Sequence, residues 1–305
     1  MSSPKVWFGL SVSTTDQETK LTTFSAVTGA STGLGRKVAE YALSKGDNVF
    51  ATLRKLSMLE DLTAKYPSSR LAVFPLDVTD TPSITAAFNE ALSHFNRIDI
   101  VLNNAGYYIV SEAEGIPHKA AREMFDVLLW GAENVMREAI RCFRDVNRPM
   151  GGRLLNVSSR TAMIPQPGST HYASAKAALE CLSEGYISEL DPEWHIKITL
   201  IEPALFRTSV VQNRVEEPVH PAYASNASLP SRIFRDLCPH IEETHFDGDP
   251  AKLAEMIYKL SYLDEPPVRL PLHRVSLESA RQKGKLLLEA AEKWSSWSDD
   301  IYLRK

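Results

Sequence analysis

A short apolar run, a glycine-rich turn and a helical stretch follow one another from residue 24, and this succession constrains the fold most. Residues 24–27 have strand character, residues 28–35 read TGASTGLG, and residues 36–45 carry apolar side chains at helical spacing. Glycines allow a tight turn, and the free N–H groups at a helix N-terminus attract phosphate. The succession therefore predicts a phosphate-binding turn in an α/β domain.

The glycines of this turn have the spacing GxxxGxG rather than the more common GxGxxG, so a purely structural turn is the alternative interpretation. The position between a strand and a helix favours dinucleotide binding over that alternative. The predicted cofactor contacts from the turn are Gly29, Ser31, Thr32, Gly33, Leu34 and Gly35.

Strand-like and helix-like stretches alternate along the rest of the chain. Such alternation predicts a parallel sheet with right-handed crossovers and helices on both faces. The predicted fold class is thus α/β, with a single Rossmann-like doubly wound domain over residues 24–305. The predicted strands are 49–53, 71–76, 98–102, 153–157 and 196–201, and the predicted helices are 58–65, 83–95, 120–146 and 172–190.

Composition excludes several classes of protein. The 305 residues are 44% hydrophobic and 24% charged, and 34 basic against 38 acidic side chains give a net charge of −4. These values are ordinary for a globular protein and give no indication of nucleic-acid binding. Three separated cysteines without a CxxC motif, and histidines without paired ligand spacing, predict neither a disulfide framework nor a metal site. With no long apolar run and no secretory pattern, we expect no membrane association and a cytoplasmic location.

The end of the second strand indicates which dinucleotide binds. NAD sites place an Asp or Glu about 20 residues after the glycines, where it binds the ribose hydroxyls. Here the strand ends in Leu53, Arg54 and Lys55. A guanidinium can pair with the 2′-phosphate of NADP in bidentate fashion, so Arg54 predicts NADP(H) as the cofactor. A solvated surface arginine is the alternative.

A tyrosine and a lysine four residues apart provide the candidate chemistry. On a helix, Tyr172 and Lys176 lie on one face, and a nearby ammonium is expected to lower the pKa of the phenol. Such a tyrosine exchanges a proton with a carbonyl or alcohol oxygen, and Ser159, which follows a strand, is placed to steady the same oxygen. YxxxK alone is weak, and an ordinary helix face is the alternative. Its combination with the glycine turn and with residues 103–106 (NNAG) carries the prediction.

Taken in order, these motifs resemble those of the short-chain dehydrogenase/reductase family. The resemblance implies a nicotinamide cofactor and hydride transfer to or from a carbonyl or alcohol carbon. It implies that Tyr172 is the general acid/base, that Lys176 binds the nicotinamide ribose and that Ser159 orients the substrate. The implied cofactor contacts are Asp77 and Val78 at the adenine, Asn104 and Ala105 on the adenosine side, Pro203 after the sixth strand, and Thr208 at the carboxamide. Residues 248–252 and 269–272 resemble one reductase-like subgroup and extend the match to about residue 273.

Two positions depart from the family pattern. Leu128 stands where a VNxxG-like run has an asparagine that holds a water of a proton relay. We therefore expect slower turnover, with Leu128→Asn faster. Leu128 supports one alternative function, a catalytically impaired NADP-binding regulatory protein. A non-redox lyase or isomerase on the same scaffold is a further alternative. Ala204 replaces the usual glycine after Pro203, and alanine restricts the backbone there.

The ends of the chain and one internal segment lie outside the core pattern. Within residues 1–25, the polar stretch 9–25 is interpreted either as an insertion that interrupts a strand begun at residues 5–8, or as part of a flexible extension. Residues 209–246 predict a lid over the substrate, with a surface loop as the alternative, and residues 273–305 a C-terminal tail.

The expected partner is a small carbonyl or alcohol substrate, and apolar and aromatic residues near the predicted site suggest that it is hydrophobic. The tyrosines after the NNAG run, Tyr107 and Tyr108, either line that pocket or pack on the sheet. A homodimer through the 120–146 helix and the helix of Tyr172 is also expected. Burial of these helices against the sheet is the alternative explanation of their apolar residues.

Overall fold

Nine strands alternate with helices in the computed structural model, which describes residues 24–208, 210, 213–241 and 245–303. The strands are β1 (Phe24–Thr28), β2 (Asn48–Leu53), β3 (Leu71–Pro75), β4 (Ile100–Asn103), β5 (Ile109–Val110), β6 (Gly152–Val157), β7 (Ile196–Pro203), β8 (Val215–Glu216) and β9 (Arg269–Leu272). Seven of them form a parallel sheet in the order β3-β2-β1-β4-β6-β7-β9, and β5 pairs with β8 alone.

Helices connect these strands. They are α1 (Gly33–Lys45), α2 (Glu60–Lys65), α3 (Thr81–Phe95), α4 (His118–Phe125), α5 (Ala132–Arg141), α6 (Thr170–Glu189), α7 (Pro221–Ala224), α8 (Pro230–Leu237), α9 (Pro250–Leu260) and α10 (Arg274–Lys293). Two π-helical turns, Asp126–Gly131 and Cys142–Val146, continue α4 and α5, so residues 118–146 form one helical stretch. No helix of the described residues combines the length and apolarity needed to cross a membrane.

The central strands of the sheet are buried on both faces, which explains why most of their residues are apolar. Successive side chains of a strand point to opposite faces. Val49 therefore packs with the cluster that includes α1 and α9, whereas Phe50 packs with the cluster that includes α3, α5 and α6. The two clusters form separate hydrophobic layers on either side of the sheet. The predicted doubly wound α/β fold is confirmed.

The strand order reverses between β1 and β4, and a parallel sheet opens a crevice at such a point, beyond the carboxyl ends of its strands. The segments that follow β1, β2, β3, β4, β6 and β7 all meet there. These segments contain the residues that the sequence predicts for the site.

Most predicted elements agree with the structure within a few residues. Strand β9 was not among the predicted strands, because its four residues, Arg269–Leu272, include a proline and are only half-buried. Residues 1–23, and with them most of the proposed insertion, lie outside the described residues. In the predicted tail, Trp294 and Trp297 are 50% and 75% exposed and contact each other.

Candidate active site

The turn between β1 and α1 has the conformation that its glycines permit. Gly29 and Gly33 have φ angles of +66° and +57°, a left-handed region that side chains disfavour. Thr32 precedes the helix without a side-chain capping bond, and the first turn of α1 contains no acidic residue. The positive end of the helix dipole therefore faces the crevice without a carboxylate of its own, as phosphate binding requires.

Asn104 fastens this turn to the end of β4. Its Nδ2 donates a hydrogen bond to the Thr28 carbonyl at 3.0 Å, and Thr28 Oγ1 accepts from the N–H groups of Asn104 and Ala105 at 2.8 and 3.0 Å. Gly35 lies beneath the turn, where an added Cβ would lie 2.6 Å from the Gly29 carbonyl oxygen and 2.7 Å from Asn104 Nδ2. Close packing thus requires glycine at position 35.

The end of the crevice beside β2 and β3 carries one cation and one carboxylate. Arg54 follows β2 and is exposed, and within the described residues it forms no hydrogen bond or ion pair. Asp77 follows β3, and its Oδ1 accepts from the Thr79 N–H at 2.9 Å and from Thr79 Oγ1 at 2.7 Å. These bonds, with a smaller contribution from the nearby Arg54, lower the pKa of Asp77. Its carboxylate is ionised at neutral pH, and Arg54 remains available for a phosphate.

The hydroxyls of Ser159 and Tyr172 meet at the other end of the crevice, as the sequence predicts. Tyr172 lies in the first turn of α6 and is hydrogen-bonded to Ser159. Ser159 Oγ also accepts from the N–H and Oγ1 of Thr161, at 3.2 and 2.9 Å. The ring of Tyr108 meets that of Tyr172 edge-on, with 4.8 Å between centroids. The two hydroxyls are therefore held side by side at the cavity surface.

Lys176 is buried and donates from Nζ to the Val157 carbonyl at 2.7 Å. Burial lowers the pKa of Lys176 to about 8. The sequence predicts a lowered pKa for Tyr172, whereas in this structure burial raises it to about 12, opposed in part by the bond with Ser159. The ammonium is directed at Val157 and lies 5.9 Å from the centre of the Tyr172 ring. Tyr172 is thus a neutral phenol at neutral pH, the form that donates a proton.

A buried ionic network supports the helix of Tyr172 and Lys176 from below. Glu180, one turn after Lys176, accepts from Ser158 Oγ at 2.5 Å and from Arg269 Nη1 at 2.6 Å. Arg269 also donates to Glu202 at 2.7 Å. Burial, followed by repulsion from Glu180, raises the pKa of Glu202 to about 7. The network joins α6 to the ends of β6, β7 and β9, and so fixes Lys176 relative to the sheet.

A cavity of about 530 Å³ connects the two ends of the crevice. It is lined by every residue that the sequence predicts for the site except Gly35, which lies under the turn. The predicted residues in its wall are Gly29, Ser31, Thr32, Gly33, Leu34, Arg54, Asp77, Val78, Asn104, Ala105, Ser159, Tyr172, Lys176, Pro203 and Thr208. Tyr107 and Tyr108 also line it, which decides between the two placements that the sequence allows.

Sequence reasoning predicted a lid over residues 209–246 but missed Arg160 and Gln166 in the wall opposite the glycine turn. Arg160 and Gln166 enter it from the segment between β6 and α6, and Phe234, Leu237 and Ile241 from α8 and the residues after it. No local pattern distinguishes these residues from a surface loop. The position of Arg160 directly after Ser159 was the one available signal.

A buried ion pair holds α8 in this position. Arg235 donates from Nε and Nη2 to the two carboxylate oxygens of Glu112, each at 2.8 Å. Both side chains are almost fully buried, and Arg235 Nη1 also donates to the Glu217 carbonyl at 2.7 Å. The pair joins two segments more than 120 residues apart in the chain, so part of the predicted lid segment is fastened to the wall of the cavity.

The two departures from the family pattern have structural explanations. Leu128 is 1% exposed and packs with Met124, Ala175 and the ring of Tyr172, so an apolar contact occupies the place of the expected polar group. Ala204 is not among the described residues with a positive φ, and its backbone conformation is therefore open to alanine.

The fold and the cavity together define a dinucleotide-binding type of α/β protein, and comparison with known proteins gives the family. The short chain dehydrogenase model matches residues 24–218, and the chain belongs to that family. An uncharacterized oxidoreductase of Schizosaccharomyces pombe is 36% identical over 264 residues, 86% of each chain. The oxidoreductase calM of Penicillium decumbens is 31% identical over 89% of this chain and 90% of its own. The crystal structure of a short-chain dehydrogenase from Streptomyces avermitilis superposes with a TM-score of 0.82 at 30% identity, covering 93% of this chain and 100% of its own.

Proposed function

We propose that the protein is an NADP(H)-dependent oxidoreductase that reduces a ketone or aldehyde, or oxidises a secondary alcohol. The observation that carries this proposal is the convergence of Ser159, Tyr172 and Lys176 on the cavity that the glycine turn opens. Family membership and relatives named oxidoreductases support the same reaction class.

The described residues fit a nicotinamide dinucleotide. The left-handed glycines and the uncapped N-terminus of α1 suit a pyrophosphate, and exposed Arg54 suits the 2′-phosphate of NADP. Val78 and Asp77 would contact the adenine, Asn104 and Ala105 the adenosine side, and Pro203 and Thr208 the nicotinamide end. When bound, the cofactor supplies or accepts the hydride.

The chain's own residues would handle the proton. Tyr172 is a neutral phenol, and burial raises its pKa further, so its hydroxyl can donate a proton to a carbonyl oxygen as negative charge develops there. Ser159, hydrogen-bonded to the same hydroxyl, would orient that oxygen. The Lys176 ammonium would favour the phenolate that forms, since opposite charges attract more strongly away from water. In the direction of oxidation, the roles reverse.

The reaction is tested by NADPH consumption against a panel of ketones and aldehydes. We expect Tyr172→Phe to reduce kcat by at least about a thousandfold, because the proton donor is lost. Tyr186→Phe is the matched control on the same helix, since its hydroxyl bonds Glu133 away from the cavity, and it should keep activity. Tight NADPH binding without consumption would overturn the proposal in favour of a regulatory protein. Product formed without net NADPH use would favour a lyase or isomerase.

Cofactor choice is tested separately. Arg54→Ser should raise the Kd for NADPH about tenfold to a hundredfold and leave that for NADH nearly unchanged, because a charge-assisted bidentate contact contributes about 1.5–3 kcal/mol. Titration of intrinsic fluorescence measures both constants. Equal losses for the two cofactors would assign Arg54 no part in selecting the 2′-phosphate.

A homodimer through the 118–146 stretch and α6 is proposed as well. Trp130 is 55% exposed on that stretch, beside buried Leu128 and Leu129, and a partner would cover it.

The predicted lid function of residues 209–246 is likewise proposed, supported by Phe234 and Leu237 in the cavity wall.

A further inference from the structure

The charges around the cavity are unequal. Arg54, Arg160 and Lys176 line it, whereas Asp77 is the only carboxylate among the described lining residues. The proposed function uses Arg54 for the 2′-phosphate and Lys176 beneath Tyr172. Arg160, on the substrate side directly after Ser159, has no role in that scheme.

Arg160 differs from the other partly buried arginines of the site in its partners. Arg235 pairs with Glu112, and Arg269 with Glu180 and Glu202. Arg160 donates from Nη2 to the uncharged Gln166 at 2.6 Å and forms no ion pair within the described residues. Burial lowers the pKa of Arg160, as removal of a cation from water does without a counter-ion.

The guanidinium is not needed to shape its own turn. Backbone hydrogen bonds close the segment, from Ala162 N–H to the Ser159 carbonyl at 3.0 Å and from Met163 and Ile164 N–H to the Arg160 carbonyl at 3.2 Å. Any residue can supply that carbonyl. The backbone turn therefore does not depend on the charge at position 160, and the side-chain bond of Arg160 within this segment goes to the uncharged Gln166.

The surroundings of Arg160 indicate what would satisfy it. Tyr108 lies close enough for electrostatic interaction with Arg160, and its ring contacts Tyr172. The cavity is also lined by apolar side chains, namely Phe234, Leu237 and Ile241. A ligand with its carbonyl at Tyr172 would therefore meet an apolar wall and one fixed cation.

We propose that Arg160 binds a carboxylate of the substrate, so that the protein acts on an apolar ketone or aldehyde that carries a carboxylic acid. The guanidinium fork matches the two oxygens of a carboxylate, whose single negative charge balances the single positive charge of Arg160. This inference rests on the proposed function, because it places the reacting carbonyl at Tyr172.

Binding tests the proposal without turnover. The probes are 4-phenylbutyrate and its neutral counterpart 4-phenylbutyramide, titrated calorimetrically into the protein saturated with NADP⁺. The carboxylate should bind at least about tenfold more tightly than the amide, the effect of one charged hydrogen-bonded pair. In Arg160→Gln this preference should disappear. Equal affinities in the wild-type protein, or no binding of the carboxylate, would overturn the proposal.

A second variant neutralises the charge of Arg160 and keeps the arginine itself. Gln166→Glu is nearly isosteric and places a carboxylate on the guanidinium that Gln166 now contacts at 2.6 Å. It should abolish the preference for 4-phenylbutyrate as Arg160→Gln does, while the melting temperature stays close to that of the wild type. If the preference persists in both variants, another group binds the anion and the assignment to Arg160 is wrong.

Kinetics separates this inference from the proposed function. With NADPH, the wild-type protein should reduce 3-benzoylpropionate with a kcat/KM at least about tenfold above that of its methyl ester, and Arg160→Gln should equalise the two. Reduction of neutral ketones without this preference would overturn only the inference. Absence of NADPH oxidation with every carbonyl would overturn the proposed function, and the binding experiment would still decide what Arg160 recognises.

Discussion

The two ends of the cavity are built in different ways. The glycine-turn end is shaped by backbone and short side chains at the ends of adjacent strands, as in the bonds between Asn104 and Thr28. The opposite end depends on segments far apart in sequence, fastened by long side chains such as the pair of Glu112 and Arg235. The backbone contacts at the glycine-turn end fix the shape of that end. At the opposite end, the side chains of the wall can change while the fold is retained.

The largest expected effect on cofactor binding concerns the glycine-turn end of the cavity. Gly35→Ala should weaken NADPH binding at least about a hundredfold, because a Cβ 2.6 Å from the Gly29 carbonyl oxygen displaces the turn. Gly185→Ala in α6 is the matched control, since nothing lies within 4 Å of its added Cβ. Fluorescence titration measures both. An unchanged affinity for NADPH in Gly35→Ala would show that the glycine turn accommodates the added Cβ, and that this end is no more rigid than the opposite wall.

The end of the cavity opposite the glycine turn is tested through the ion pair of Glu112 and Arg235. Glu112→Gln keeps the shape but removes the charge that Arg235 binds, so α8 should shift and the KM for the carbonyl should rise about tenfold. The Kd for NADPH should stay within about twofold, because the glycine turn is distant from this pair. Glu265→Gln removes the carboxylate of an exposed pair with Lys197 and serves as control. Equal changes in KM and in the NADPH Kd would contradict the expectation that the two ends of the cavity are independent.

A pH profile of kcat/KM tests the role of Lys176. Lys176 has a pKa of about 8, so it is largely protonated below that value and neutral above it. In the reductive direction, kcat/KM should therefore fall about fivefold from about pH 8 to about pH 9, as the cation that favours the Tyr172 phenolate is lost. Lys176→Arg, which keeps its charge, should flatten that limb. A profile flat to pH 10 in the wild-type protein would exclude Lys176 as the titrating group.

The smallest expected change in turnover is at Leu128. The sequence predicts that Leu128→Asn accelerates the reaction, whereas the packing around this 1% exposed side chain predicts a lower free energy of unfolding, by about 2 kcal/mol, because an amide would be buried among apolar groups. Thermal denaturation and kcat measured on the same variant separate the two effects. A stable variant with unchanged kcat would contradict both expectations.

Local signals account for the part of the molecule that was predictable. The glycine turn, the ends of β1 and β4, and the Tyr172–Lys176 spacing each depend on residues a few positions apart, where turn and helix geometry fix relative position. Arg160 and Phe234 depend on the path of the chain between strands. Their placement comes from contacts between segments that share no sequence period.

The sequence by itself determined the parallel α/β sheet and the glycine turn, and it supplied the residues proposed to exchange a proton, because all of these follow from short-range pattern. Tertiary structure decided the wall opposite the glycines, the raised pKa of Tyr172 and the isolation of Arg160 from the described carboxylates. Burial and long-range pairing set these properties, and both depend on which distant segments the fold brings together.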